Sequence, residues 1–103
     1  MQQPIYLSGP MTGIAEFNYP AFNAAAQVLR GLGYEVFNPA EQDQKPSWED
    51  YMRHDIKAMM GCRTLVVLDG AHESRGAMIE MQLAQTLGIR IVPFGKIKME
   101  KVA

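Results

Sequence analysis

Residues 65–80, LVVLDGAHESRGAMIE, run from four consecutive apolar side chains through Asp69-Gly70 into a segment with helical spacing. Leu65, Val66, Val67 and Leu68 do not alternate with polar residues, which is the pattern of a strand covered on both faces, as in a parallel sheet. In open α/β sheets ligands bind beyond the carboxyl ends of the strands, where loops and helix N-termini converge, and Asp69 to Gly76 holds that place. In the helix that follows, the 3.6-residue period puts Glu80 on one arc with Ala77, Ala84 and Leu87, while Gln82, Gln85 and Thr86 fall opposite. A carboxylate on an apolar stripe is costly to bury and needs a reason to be there.

Working outward, Ile5 to Ser8 reads as a first strand, broken by Ser8, Gly9 and Pro10, with Gly13 extending the loop. Asn18 is positioned to cap a helix whose first turn tolerates Pro20, whose inward stripe is Phe22, Ala25, Ala26 and Leu29, and whose stop is Gly33. Tyr34 to Phe37 is a second strand, ended by Asn38 and Pro39, and the polar run from Glu41 to Pro46 is a loop able to cover a site. Ser47 with Asp50 three residues on starts a helix through about Met60, with Trp48, Tyr51, Met52, Ile56 and Met59 on its apolar side and Asp55 inside that arc. Gly88 ends the Glu80 helix and Ile89 to Phe94 makes a fourth strand; the segment from Lys96 to Ala103 has no clear assignment.

The order β, α, β, α, β, α, β in 103 residues describes one α/β domain, a Rossmann-like (flavodoxin-like) three-layer sandwich with a mainly parallel sheet of four to five strands. With strand order 2-1-3-4, the switch point lies between the first and third strands and brings the Ser8 to Gly13 loop beside the Asp69 to Gly76 loop. Composition limits the partners. A net charge of −1 offers no basic patch for a nucleic-acid polymer, so a small molecule is the expected ligand. The lone Cys62 excludes an internal disulfide and a cysteine-based metal site, so no metal is implied. The absence of a signal-peptide pattern and of a run near 20 apolar residues points to a cytoplasmic protein with no membrane partner.

Several groups at the expected pocket carry two readings each. Glu80 is either a helical carboxylate pairing with Arg75 or Arg63, or a nucleophile or general base. Asp55 is either in an ion pair with Arg53 or Lys57 or part of the site; those two basic residues point to the other side of its helix. Tyr6 is either a core side chain or a phenol that orients Glu80 across the strand ends. Ser74 is an N-cap in one reading, and in the other it joins free backbone N–H groups and Arg75 in holding an anion, with Gly76 allowing close approach. Met11 either packs or touches a planar base. His54 and His72 are given no catalytic role.

Taken together, Tyr6-Leu-Ser-Gly-Pro10, Asp55, Asp69-Gly70 and Ser74-Arg-Gly-Ala-Met-Ile-Glu80 resemble the nucleoside 2-deoxyribosyltransferases and the related deoxynucleoside 5'-monophosphate N-glycosidases. The runs YLSGPMTG, FNYPAF and SRGA look closest to a phage-associated branch of that superfamily. The resemblance spans most of the chain. It implies that Glu80 is the nucleophile on the anomeric carbon, that Tyr6 orients it, and that Asp55 contacts the substrate or assists the leaving base. Ser8, Gly9, Pro10, Met11, Asp69, Gly70, Ser74, Arg75 and Gly76 are the candidate substrate-binding residues.

Many transferases of that family carry an acidic residue six positions before the nucleophile, contacting the sugar 5'-hydroxyl. Here that position is Ser74, and a neutral hydroxyl at a helix N-terminus suits a 5'-phosphate better. The monophosphate hydrolases have an arginine in the first loop where this chain has Thr12. The implied activity is N-glycosidase or deoxyribosyltransferase chemistry on a small nucleoside or nucleotide, without a cofactor. The alternative is a non-catalytic protein that senses or sequesters a nucleotide-derived ligand. The resemblance also implies an assembly, since chains of this size in that family commonly complete the pocket with a neighbour's residues, so at least a homodimer is expected.

Overall fold

The computed structural model describes residues 4–97. Seven main elements follow in order: β1 (Pro4–Ser8), α1 (Tyr19–Gly31), β2 (Glu35–Phe37), α2 (Trp48–Met60), β3 (Thr64–Val67), α3 (Arg75–Thr86) and β4 (Arg90–Pro93). The four strands form one sheet in the order β2-β1-β3-β4, and every pairing is parallel. The expected fold class and strand order are thus observed.

Alternation along β1 divides the molecule. Ile5 and Leu7 point into a core with Phe22, Ala25, Ala26 and Leu29 of α1, joined by Val36, Val66, Leu68 and Val92. Tyr6 faces the other way, with Met59 of α2, Ala84 of α3, Cys62 and Leu65. A strand with a period of two can therefore supply hydrocarbon to one layer and hydroxyl groups to the other. Central β3 is apolar on both faces because helices cover both, which accounts for its unbroken run of aliphatic side chains.

The boundaries differ from the expected ones by a residue at several ends, as fraying and turn chemistry allow. One local expectation fails. Asn18 does not cap α1 with its side chain; it adopts a left-handed conformation (φ 62°) together with Glu16 and Phe17. Its Nδ2 instead donates to the Pro10 carbonyl at 3.0 Å, tying the start of α1 to the loop after β1. Leu87 is a second correction: it follows α3 and is 52% exposed, because the helix has ended and the chain is turning towards Gly88. Residues 94–97 are helical, so Phe94, expected to end the fourth strand, lies beyond it; of the unassigned segment Lys96 to Ala103, Ile97 is buried in the α1-side core and 98–103 lie outside the described residues. Among the described residues no helix is long and apolar enough to cross a membrane.

Candidate active site

The loops after β1 and β3 meet as the strand order requires. Leu68 N–H donates to the Ser8 carbonyl at 2.8 Å, extending the β1–β3 ladder by one bond. Gly9 packs so closely here that an added Cβ would lie 2.9 Å from Leu68 Cβ, which explains the need for glycine. Gly70 has φ +84°, and a Cβ there would also press on Pro10 at 3.3 Å. These glycines let two loops touch at the switch point, directly above Tyr6 and Ser8.

Glu80 reaches this point from α3. Its Oε2 accepts from the Tyr6 hydroxyl at 2.6 Å and its Oε1 from the Ser8 hydroxyl at 2.8 Å. Because Tyr6 and Ser8 are two apart on one strand, both hydroxyls face α3, and each carboxylate oxygen gains its own donor. Pairing with Arg75 or Arg63 is not what holds Glu80. The carboxylate is 5% exposed. Burial pushes its pKa up from 4.5 to about 7; the Tyr6 and Ser8 hydrogen bonds oppose that rise and the charge of Asp55 adds to it. Burial, with Glu80 next, also drives the Tyr6 phenol well above its ordinary value, so it acts as a donor.

Asp55 stands on α2, and burial raises its pKa as well, opposed chiefly by a hydrogen bond from Gln42. Gln42 Nε2 donates to Asp55 Oδ1 at 2.6 Å, and His54 Nδ1 lies 3.7 Å from the same oxygen. The neighbouring Arg53 faces Asp50 at 3.5 Å, so the ion-pair reading of Asp55 gives way to a contact from the 41–46 loop. Gln42 Oε1 is buried and lacks a hydrogen-bond partner among the described residues. Phe37 stacks on Tyr6 with ring centroids 5.4 Å apart and also meets His54 at 5.9 Å. A hollow of about 280 Å³ opens between Phe37, Gln42, Lys45 and His54. Gln42, Phe37 and His54 escape a reading based on periodicity. Gln42 comes from an irregular polar loop, Phe37 looks like any strand hydrophobe, and His54 lies next to Asp55 on a helix, where adjacent residues ordinarily diverge.

The α3 N-terminus is more self-contained. Ser74 Oγ accepts from Ala77 N–H at 3.2 Å, the N-cap bond expected of it. The Arg75 guanidinium lies 4.5 Å over the Trp48 ring, and a Cβ on Gly76 would meet Met52 Sδ at 3.3 Å. Arg75 and Gly76 therefore join α3 to the start of α2. Met11 is half-buried against the α1-side core, and Asp69 is exposed at the loop surface. The site thus brings Tyr6, Ser8 and Glu80 into direct contact, sets Asp55 within electrostatic reach, and keeps Ser74 at the helix end.

Among the described residues no group of three His, Cys, Asp or Glu side chains is arranged to hold a metal ion. A buried carboxylate with hydroxyl donors on both oxygens and a second buried carboxyl nearby is suited to nucleophilic or acid–base chemistry.

A 2-deoxyribosyltransferase from the psychrotolerant bacterium Bacillus psychrosaccharolyticus has a similar fold. The TM-score is 0.68 at 22% identity, over 87% of this chain and 70% of that one. A comparison with curated proteins finds no match. The profile of one family covers residues 3–93, almost the whole described chain, and the protein belongs to that family, the Domain of unknown function (DUF4406).

Proposed function

We propose that the protein is an N-glycosidase or 2-deoxyribosyltransferase that cleaves the base–sugar bond of a small nucleoside or nucleoside 5'-monophosphate. The observation that carries this reading is Glu80, buried at the strand ends and held by Tyr6 and Ser8. The shared fold with a 2-deoxyribosyltransferase and the motifs around Tyr6 and Glu80 support the same chemistry.

In the first step a Glu80 oxygen bonds to the anomeric carbon as the carbon–nitrogen bond breaks. The bonding pair leaves with the base, and protonated Asp55 supplies the proton that the base nitrogen needs. In the second, water or another base gives a proton to the Asp55 carboxylate as it attacks the anomeric carbon, and the electrons of the ester bond return to Glu80. Tyr6 orients the carboxylate throughout. Ser74 and the first N–H groups of α3 hold a 5'-phosphate, which favours the nucleotide over the nucleoside. Gly9, Pro10, Met11, Asp69 and Gly70 form the rest of the substrate rim. No cofactor takes part.

The protein works in the cytoplasm as at least a homodimer in which a neighbour's residues complete the pocket, and it belongs with the phage-associated branch it resembles. An open, mainly apolar hollow of about 540 Å³ along Trp48, Met52, Ile56 and Met60 supports a partner surface on α2. A monomer by light scattering at micromolar concentration would count against the dimer.

The test is a mass-spectrometric screen for free base released from pooled nucleosides and nucleotides, run in parallel with Glu80→Gln. We expect release by the wild type and a loss of at least about a thousandfold in the variant, which keeps the shape but not the nucleophile. Ligand binding with no release by either protein would favour the sequestering alternative.

A further inference from the structure

The two hydroxyls on Glu80 are not equivalent. Tyr6 is fully buried and stacked on Phe37 with an interplanar angle of 8°, so its phenolic oxygen is fixed by a rigid ring. Ser8 carries its oxygen on a single torsion. Rotation about that bond moves the hydroxyl between staggered positions, at the cost of the hydrogen bond it leaves, since Ser8 is itself buried. Its backbone cannot follow, because the Ser8 carbonyl accepts from Leu68 N–H at 2.8 Å and Gly9 is wedged against Leu68. The carboxylate is therefore held by one immobile donor on Oε2 and one releasable donor on Oε1.

That asymmetry has a chemical meaning when a carboxylate becomes an ester. The attacking oxygen gives up its charge to a new bond with carbon and becomes a poor acceptor, so a donor bound to it must let go. The other oxygen becomes the carbonyl oxygen, which remains the better acceptor of the two. A fixed phenol suits the oxygen that stays a carbonyl, and a rotatable hydroxyl suits the one that attacks. We propose that Ser8 is a positioning residue for Glu80, holding Oε1 as the attacking oxygen until the glycosyl bond forms and releasing it then.

This rests on Glu80 being the nucleophile, and it gives Ser8 a role other than the substrate contact expected from the sequence. The bond that forms is anomeric carbon to Oε1, the bond that breaks is carbon to base nitrogen, and the Ser8 proton stays on Ser8. While Glu80 is free, the Ser8 hydrogen bond favours its ionised form. The other groups that bear on that ionisation are Tyr6 from β1 and Asp55 from α2.

The experiment titrates the Glu80 carboxyl directly by carbon-13 NMR in wild type, Ser8→Ala and Ser8→Thr, with Glu80→Gln to assign the resonance. Loss of a hydrogen bond to the charged form should move the midpoint up by about one pH unit in Ser8→Ala. Ser8→Thr, which keeps the hydroxyl, should bring it back. For released base, the acidic limb of kcat should shift with the midpoint while KM stays unchanged.

An unmoved midpoint in folded Ser8→Ala overturns the proposal, as does a rise in KM with an unaltered pH profile. In crystals trapped with a 2'-deoxy-2'-fluoro nucleoside, a sugar ester on the oxygen under Tyr6 would also overturn it. Should no substrate turn over, the titration still decides whether Ser8 controls Glu80, and the failure then belongs to the proposed activity alone.

Discussion

The two faces of the sheet are built from the same strands but carry opposite chemistry. On the α1 side, Ile5, Leu7, Phe22, Leu29, Val66 and Val92 form a hydrocarbon core. On the α2/α3 side the same strand places Tyr6 and Ser8 against Glu80, with Asp55 close enough to raise its pKa. One face contributes stability through burial and close packing. The other spends some of it to keep a carboxylate dry. A site of this kind is tolerated because the opposite layer anchors β1 independently, and the division can be broken from either side.

The largest stability loss should come from the apolar face. Leu29→Ala deletes a side chain that is 0% exposed, and we expect a loss of about 2–5 kcal/mol in chemical denaturation. Activity per folded molecule should hold, since no α1 side chain in that core touches Glu80. A selective loss of activity with little loss of stability would mean that the two faces are not separable.

The polar face should show the reverse sign. Burial raises Glu80 from 4.5 to about 7, so between those values the unfolded chain gives up its proton before the folded one does. Stability linked to this group is therefore fully present below about pH 4.5 and is lost as pH rises through about 7, by about 3 kcal/mol. Asp55, also raised by burial, acts in the same direction. Replacing Glu80 by glutamine removes this titration. Measured at pH 4.5 and at pH 8, the stability difference between Glu80→Gln and wild type should shift in favour of the variant by roughly that amount. A difference that stays flat with pH would show that Glu80 is ionised at little cost.

The apolar face was readable because its rule is periodic. Phe22, Ala25, Ala26 and Leu29 follow helical spacing, and β3 shows an unbroken run of aliphatic residues, so the layers and the parallel sheet followed. Glu80 and Asp55 were readable as violations of the same rule. What periodicity could not supply was the partner of each. Asp55 is met by Gln42, which an irregular loop delivers 13 residues away in sequence, and no spacing rule governs such a loop. Asn18 misled for a related reason. It is a good capping residue by type, but a side-chain cap needs an extended backbone, and the folded loop holds Asn18 left-handed with its Nδ2 on the Pro10 carbonyl.

A smaller effect belongs to the hydroxyl that fixes Oε2. Tyr6→Phe keeps the ring stacked on Phe37 and removes one hydrogen bond to a charged group. That bond contributes about 1.5–3 kcal/mol, so steady-state turnover should fall about tenfold to a hundredfold in a protein that still folds. Unchanged kinetics would return Tyr6 to the core as a packing residue.

The smallest change tests where the site ends. Ser74 caps α3 through Ala77 N–H, and aspartate is nearly as good a cap, so Ser74→Asp should leave the melting temperature within about a degree or two. If a 5'-phosphate rests on this helix end, the new carboxylate repels it by about 1 kcal/mol or more in a solvent-exposed setting, which is about fivefold in affinity. A matched nucleoside lacks the charge and should be bound as before. The ratio of the two affinities, measured by calorimetry on the same preparation, isolates the phosphate from every effect on folding. A parallel change for nucleoside and nucleotide at constant melting temperature would place the phosphate elsewhere. Ser74 would then belong, like Arg75 on Trp48 and Gly76 on Met52, to the joint between α2 and α3 rather than to the substrate.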